Sequence, residues 1–149
     1  MPTAQYILLI TLGIFAGALI TVQSVLNSAL GQLAGYLGAV LILTLVSIGV
    51  LTVLILLFPG TANLRQLPGS SQWYLYMGGL LGVAILAAPI FLIPRMGTTV
   101  TLTALVLGQL LLALLVDHFG LFAAPRIEVG LGRVIGVILV AVGAFLAVR

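Results

Sequence analysis

The sequence predicts an all-α, polytopic membrane protein with five transmembrane helices, on three observations. Residues 6–22, 39–58, 73–93, 100–116 and 134–148 are almost free of charge. Each stretch approaches the ~20 apolar residues with which a helix, rising ~1.5 Å per residue, crosses ~30 Å of hydrocarbon. Hydrophobic residues make up 63% of the chain and charged residues 5%, and the mean hydropathy is +1.43, whereas soluble domains carry roughly 25% charged residues. A water-soluble fold is excluded. The runs are continuously apolar where barrel strands would alternate, so helices rather than a closed barrel satisfy the backbone in lipid.

The expected helices cover about 4–27, 38–58, 73–93, 98–117 and 131–148 of a single membrane domain. The first ends in polar turns bearing Gln23, Ser24, Asn27 and Ser28, then a stretch with Gly31, Gly35 and Gly38 that reads as a turn or a helical extension. Residues 1–6 carry no basic side chain, so this first segment is expected to be a retained helix and not a cleaved leader. Phe58-Pro59-Gly60 stops the second helix and opens a polar loop. Trp73, Tyr74 and Tyr76 open the third at headgroup depth, where amphipathic rings are favoured. Pro89 cannot donate to the carbonyl of Ile85, which predicts a kink. Pro94 to Gly97 breaks the chain, Thr98, Thr99 and Thr101 are candidate caps for the fourth helix, and the fifth follows a loop from Phe119 to Gly132.

The net charge of +3 arises from five arginines, with no lysine, against Asp117 and Glu128. The arginines are isolated in different inter-helix segments, so nothing resembles a nucleic-acid footprint. There is no cysteine and a single histidine, and no glycine-rich loop ends in the lysine of a phosphate cradle. The sequence therefore predicts no catalytic site, no metal site and no cofactor. An enzyme is not expected.

Five spans would set the termini on opposite sides of the membrane, with Arg65, Arg126 and Arg133 on the N-terminal side and Arg95 and Arg149 on the other. Cytoplasmic loops carry the arginine excess, and three against two is a weak bias. Two readings stay open: a parallel dimer or a fixed orientation with Arg65, Arg126 and Arg133 cytoplasmic, or dual topology in which two copies pair antiparallel and create the inverted repeat of many transporters.

Polar side chains at membrane depth are the functional candidates, because each is unfavourable without a partner, water or ligand. Gln23 and Asn27, four residues apart, share a helix face, and Gln109 lies deep in the fourth helix. These three amides are candidate substrate ligands, or else interhelical hydrogen-bond formers. Asp117 and His118 are candidates for gating or proton coupling, or else a structural lock, with Arg126 or His118 compensating a carboxylate at a helix C-terminus. Gly13/Gly17, Gly31/Gly35, Gly78/Gly82 and Gly132/Gly136 recur at four-residue spacing. Such pairs let helices approach within a chain or between subunits. Gly132, Gly136 and Gly143 share one face and are the candidate dimer interface.

At these residues the chain resembles the YdcZ family of bacterial inner-membrane proteins, a branch of the drug/metabolite transporter (DMT) superfamily. The likeness covers nearly the whole chain and rests on Gln23-x-x-x-Asn27-x-x-Leu30-Gly31, Gly78-Gly79-x-x-Gly82, Gly97-Thr98, and Gly108-Gln109 followed by Asp117-His118-Phe119-Gly120. The resemblance implies a multi-pass inner-membrane localisation. It also implies a five-helix half of a ten-helix DMT-like transporter, working as a homodimer or a heterodimer with a sister chain, with helices 1 to 4 around the path and helix 5 between subunits. The family is similar to the small multidrug resistance transporters, which carry a glutamate within helix 1; this chain has no acid there.

The leading expectation is alternating-access export of a small solute or metabolite in contact with membrane lipids. A non-transporting assembly or regulatory subunit and a lipid or amphiphile translocator are the alternatives. The substrate is not legible in the sequence.

Overall fold

The computed structural model describes residues 3–64 and 66–147. Arg65 and Arg149, which enter the charge comparison, lie outside them, as do Met1 and Pro2 of the leader argument. The described chain is helical, with no strand among the described residues: α1 (Thr3–Ala34), α2 (Tyr36–Leu57), α3 (Met77–Met96), α4 (Thr98–Phe119) and α5 (Leu131–Ala147). α1, α2, the segment Ser70–Met96 and α4 are long and apolar enough to cross a membrane. α5 is a shorter apolar helix of 17 residues, ~25 Å long at ~1.5 Å per residue. The chain divides into two compact units, residues 1–94 and 95–149.

In the first unit α1 runs for 32 residues, ~48 Å, which exceeds the hydrocarbon thickness. It continues past the expected end at residue 27 because Ala29, Leu30, Gln32, Leu33 and Ala34 are good helix formers. It stops at Gly35, whose φ of 71° and ψ of 158° form a conformation that is essentially confined to glycine. α2 starts one residue later, and the Ala39 amide donates to the Gly35 carbonyl at 2.9 Å.

Trp73, Tyr74 and Tyr76 sit in a 3₁₀ segment, Ser70–Tyr76, broken at Gln72, rather than in α3 itself. The Tyr76 hydroxyl donates to the Pro68 carbonyl at 3.0 Å. Both Pro89 and Pro94 lie inside α3, which ends at Met96. The core of this unit is small: Ala39 and Val40 of α2 meet Ile90 of α3, with Leu30, Leu43, Leu86 and Ala87 packed around them. Tyr36 and Phe91 meet edge to face with ring centroids 6.5 Å apart.

In the second unit α4 begins after Gly97, at φ 80° and ψ 164°, nearly the conformation of Gly35, and no side chain caps it. The three threonines therefore do not serve as caps. Instead the Thr101 amide donates to the Gly97 carbonyl at 3.2 Å, and the Thr103 hydroxyl bonds back to the Thr99 carbonyl at 2.7 Å, a common habit of threonine within membrane helices. α4 ends on Gly120 in the left-handed conformation, φ 64°. A side chain there would meet the Arg126 Cβ at 3.3 Å, so the following loop, which includes the 3₁₀ turn Leu121–Ala123, folds back onto the helix end. The Ile127 amide fastens it by donating to the Asp117 carbonyl at 2.8 Å.

Candidate functional site

α1 is exposed along almost its whole length. The residues it buries are Ser24, Asn27 and Ser28, which with the half-buried Gly31 recur at intervals of three and four and so form one stripe. This stripe, rather than the expected pair of Gln23 and Asn27, is the buried polar face. Gln23 is exposed, because it stands about 40° further round the helix than Asn27 at ~100° per residue. The recurrence of small polar residues, Ser24 and Ser28, was the signal for this face.

The stripe is only partly satisfied. The Ser24 hydroxyl donates to the Ile20 carbonyl at 2.8 Å. Ser28, 3% exposed, has a hydroxyl with no hydrogen-bond partner. Asn27 is also 3% exposed. A buried polar group without a partner is destabilising by ~1–3 kcal/mol. Gly31 continues the stripe and admits α3: a Cβ there would fall on Ile90 Cγ2, with Ile90 Cβ 3.6 Å away. Pro89, next to Ile90, is buried, so the candidate kink position lies in the packed part of this unit.

In the second unit Gln109 is exposed on α4, and Thr101 is fully buried with its hydroxyl unpartnered. Asp117 is compensated by neither Arg126 nor His118. Its Oδ2 accepts from an Arg133 guanidinium nitrogen at 2.9 Å, with the side chains 36% and 45% exposed. His118 is exposed and lies edge to face with the Phe119 ring at 4.8 Å. The partner escaped the sequence reading because it stands sixteen residues away, and comes near only once the loop folds back. The pair closes one end of a groove of about 410 Å³ between α4 and α5, walled by Leu110, Ala113, Leu114, Gly136, Val137 and Val140.

Gly132, Gly136 and Gly143 are exposed, and a Cβ at any of them would meet no atom within 4 Å. The same holds for Gly13, Gly17, Gly78 and Gly82. Among the described residues, close packing accounts for Gly31 and is not seen at these.

Among the described residues no group of three or more histidine, cysteine, aspartate or glutamate side chains could hold a metal ion. Comparison with known proteins supplies what the geometry alone does not. Residues 8–146 match the family model described as "Putative inner membrane exporter, YdcZ". The chain belongs to the YdcZ family.

The chain is also 36% identical over 138 residues to the inner membrane protein YdcZ of Escherichia coli (strain K12), an alignment covering 91% of each chain. No solved structure matches it. YdcZ membership, with the apolar helices, makes this a multi-pass inner-membrane protein of a transporter family and not of an enzyme family.

Proposed function

We propose that the chain exports a small solute or metabolite by alternating access, as one five-span half of a dimeric, ten-helix assembly. The observation that carries this reading is the stripe of Ser24, Asn27 and Ser28 on α1, buried with the Ser28 hydroxyl unpartnered. Polar atoms inside membrane helices are unfavourable and mark solute pathways. The stripe can offer an amide and two hydroxyls to a neutral or zwitterionic solute. Gln23 and Gln109, exposed in the single chain, join the path when a second copy closes around them. Pro89 and the glycines supply the freedom for helices to rearrange.

Pairing is supported by the open faces of Gly132, Gly136 and Gly143 on α5, and an antiparallel, dual-topology pair by the weak arginine bias. A homodimer is the simplest form; a sister chain would serve the same geometry. The ion pair of Asp117 and Arg133 acts as a gate that holds α4 to α5 in one state of the cycle.

The test is flux. Proteoliposomes of the full chain, loaded with a panel of radiolabelled neutral and zwitterionic metabolites, should release at least one of them, and Asn27→Leu should abolish release while cross-linked dimer persists. Undiminished release in that variant would contradict the reading. The apolar α4–α5 groove favours a second reading, translocation of amphiphiles, for which fluorescent lipid analogues in the same vesicles are the assay.

A further inference from the structure

The groove between α4 and α5 combines depth with a charged end. Its walls, Leu110, Ala113 and Leu114 on one helix and Gly136, Val137 and Val140 on the other, offer no hydrogen-bonding side chain, and the missing Cβ of Gly136 keeps it open. At one end stand Asp117 and Arg133, in the last turn of α4 and the first turn of α5. Leu110 and Val140 each lie seven residues further along, so the groove reaches ~10 Å inward from the ion pair. Helix ends of a spanning protein lie at headgroup depth and the turns beyond them face acyl chains.

We propose that this groove is a binding site for a phospholipid with a zwitterionic, ammonium-bearing headgroup. One acyl chain lies between α4 and α5, the ammonium approaches the Asp117 carboxylate and the phosphate approaches the Arg133 guanidinium. Charge complementarity selects the occupant. Both members of the pair remain more than a third exposed, so a dipolar headgroup reaches them without breaking their contact, and guanidinium is well suited to phosphate. A purely anionic headgroup would satisfy Arg133 and be repelled by Asp117. Lipid binding here does not require solute transport, but it competes with the proposed pairing at Gly136, which both the groove and the candidate dimer face use.

The experiment is native mass spectrometry of the full-length protein in detergent, titrated with lysophosphatidylethanolamine or with lysophosphatidylglycerol of the same chain length. The ethanolamine lipid should bind about tenfold more tightly, equivalent to ~1.4 kcal/mol. Asp117→Asn should erase or reverse that preference, and Arg133→Gln should weaken both lipids. Gly136→Phe should remove the adducts, with Ala113→Phe as a second wall variant if the first fails to fold. Gly13→Phe, on an open face of α1, should leave them unchanged. Equal binding of the two lipids by the wild type, or adducts surviving in a folded wall variant, would overturn the proposal. Adducts that vanish on dimerisation would reassign the groove to a second copy of the chain and overturn it equally.

Discussion

Ile90 occupies the space that a side chain at Gly31 would fill. This fit lets α3 approach α1 beside the polar stripe, so the packing of the first unit and its candidate path share one junction. Small residues at such crossings substitute for the hydrophobic drive that lipid removes. Gly31→Val should therefore destabilise the protein by ~1–3 kcal/mol through overpacking, read as a lowered unfolding midpoint in detergent. With Ile90→Ala in place, Gly31→Ala should be markedly less harmful than alone. Strict additivity in the cycle would mean that the two positions do not touch.

Gly35 and Gly97 form one-residue links, α1 to α2 and α3 to α4, with φ of 71° and 80° and ψ of 158° and 164°. Alanine at either should lower stability by ~1–3 kcal/mol, because the conformation is nearly closed to a residue with a Cβ. Gly49 offers the control. It lies inside α2 with open space around it, and Gly49→Ala should be neutral or favourable by up to ~1 kcal/mol. Thermal unfolding of the three variants distinguishes a backbone requirement from a general intolerance of substitution.

The Asp117–Arg133 pair is well exposed, so removing it with Arg133→Gln should reduce stability by no more than ~1 kcal/mol. Its effect should fall on the gate instead. The exchange of both residues, Asp117→Arg with Arg133→Asp, restores the attraction and should recover flux that either single change lowers. The main-chain bond from Ile127 to Asp117 does not depend on the side chains, so the loop should keep its protease resistance throughout. A loop that becomes cleavable in Arg133→Gln would show that the ion pair, not the backbone, holds it.

Orientation is the prediction most sensitive to single charges. If the arginine balance leaves both insertions populated, a reporter fused after the last residue should be found on both sides of the membrane. Two lysines added in the loop before Ser70 should drive the population to one side and lower flux in parallel. Reporter signal from one side alone in the wild type would eliminate the antiparallel pair.

Much of this architecture was legible because hydrocarbon thickness is a coarse ruler: charge-free runs located α1 to α4 without any knowledge of packing. The ends were less legible. Helix 1 runs to Ala34 because good helix formers flank Gly31 on both sides, and the chain turns at Gly35 instead. The threonines after Gly97 look like caps, but the glycine itself makes the turn and Thr103 bonds back to its own helix. In the candidate site Asn27 was visible by its chemistry, whereas the exposure of Gln23 in the single chain was not legible, because a four-residue spacing does not say which edge of a face is covered. Arg133 was hidden for a different reason: its pairing depends on a loop reversal set by Gly120, and sequence separation carries no trace of it.

The absence of native cysteine allows a direct test of the proposal that the polar face of α1 lines a solute path. Single Asn27→Cys and Ser28→Cys chains, in right-side-out and inverted vesicles, can be exposed to a membrane-impermeant thiol reagent, with Gly13→Cys on the exposed side of the same helix for comparison. Labelling at 27 and 28 from both faces of the membrane, faster than at 13, is the expected result. Protection of both positions in both vesicle types, with 13 labelled at least as readily, would contradict it.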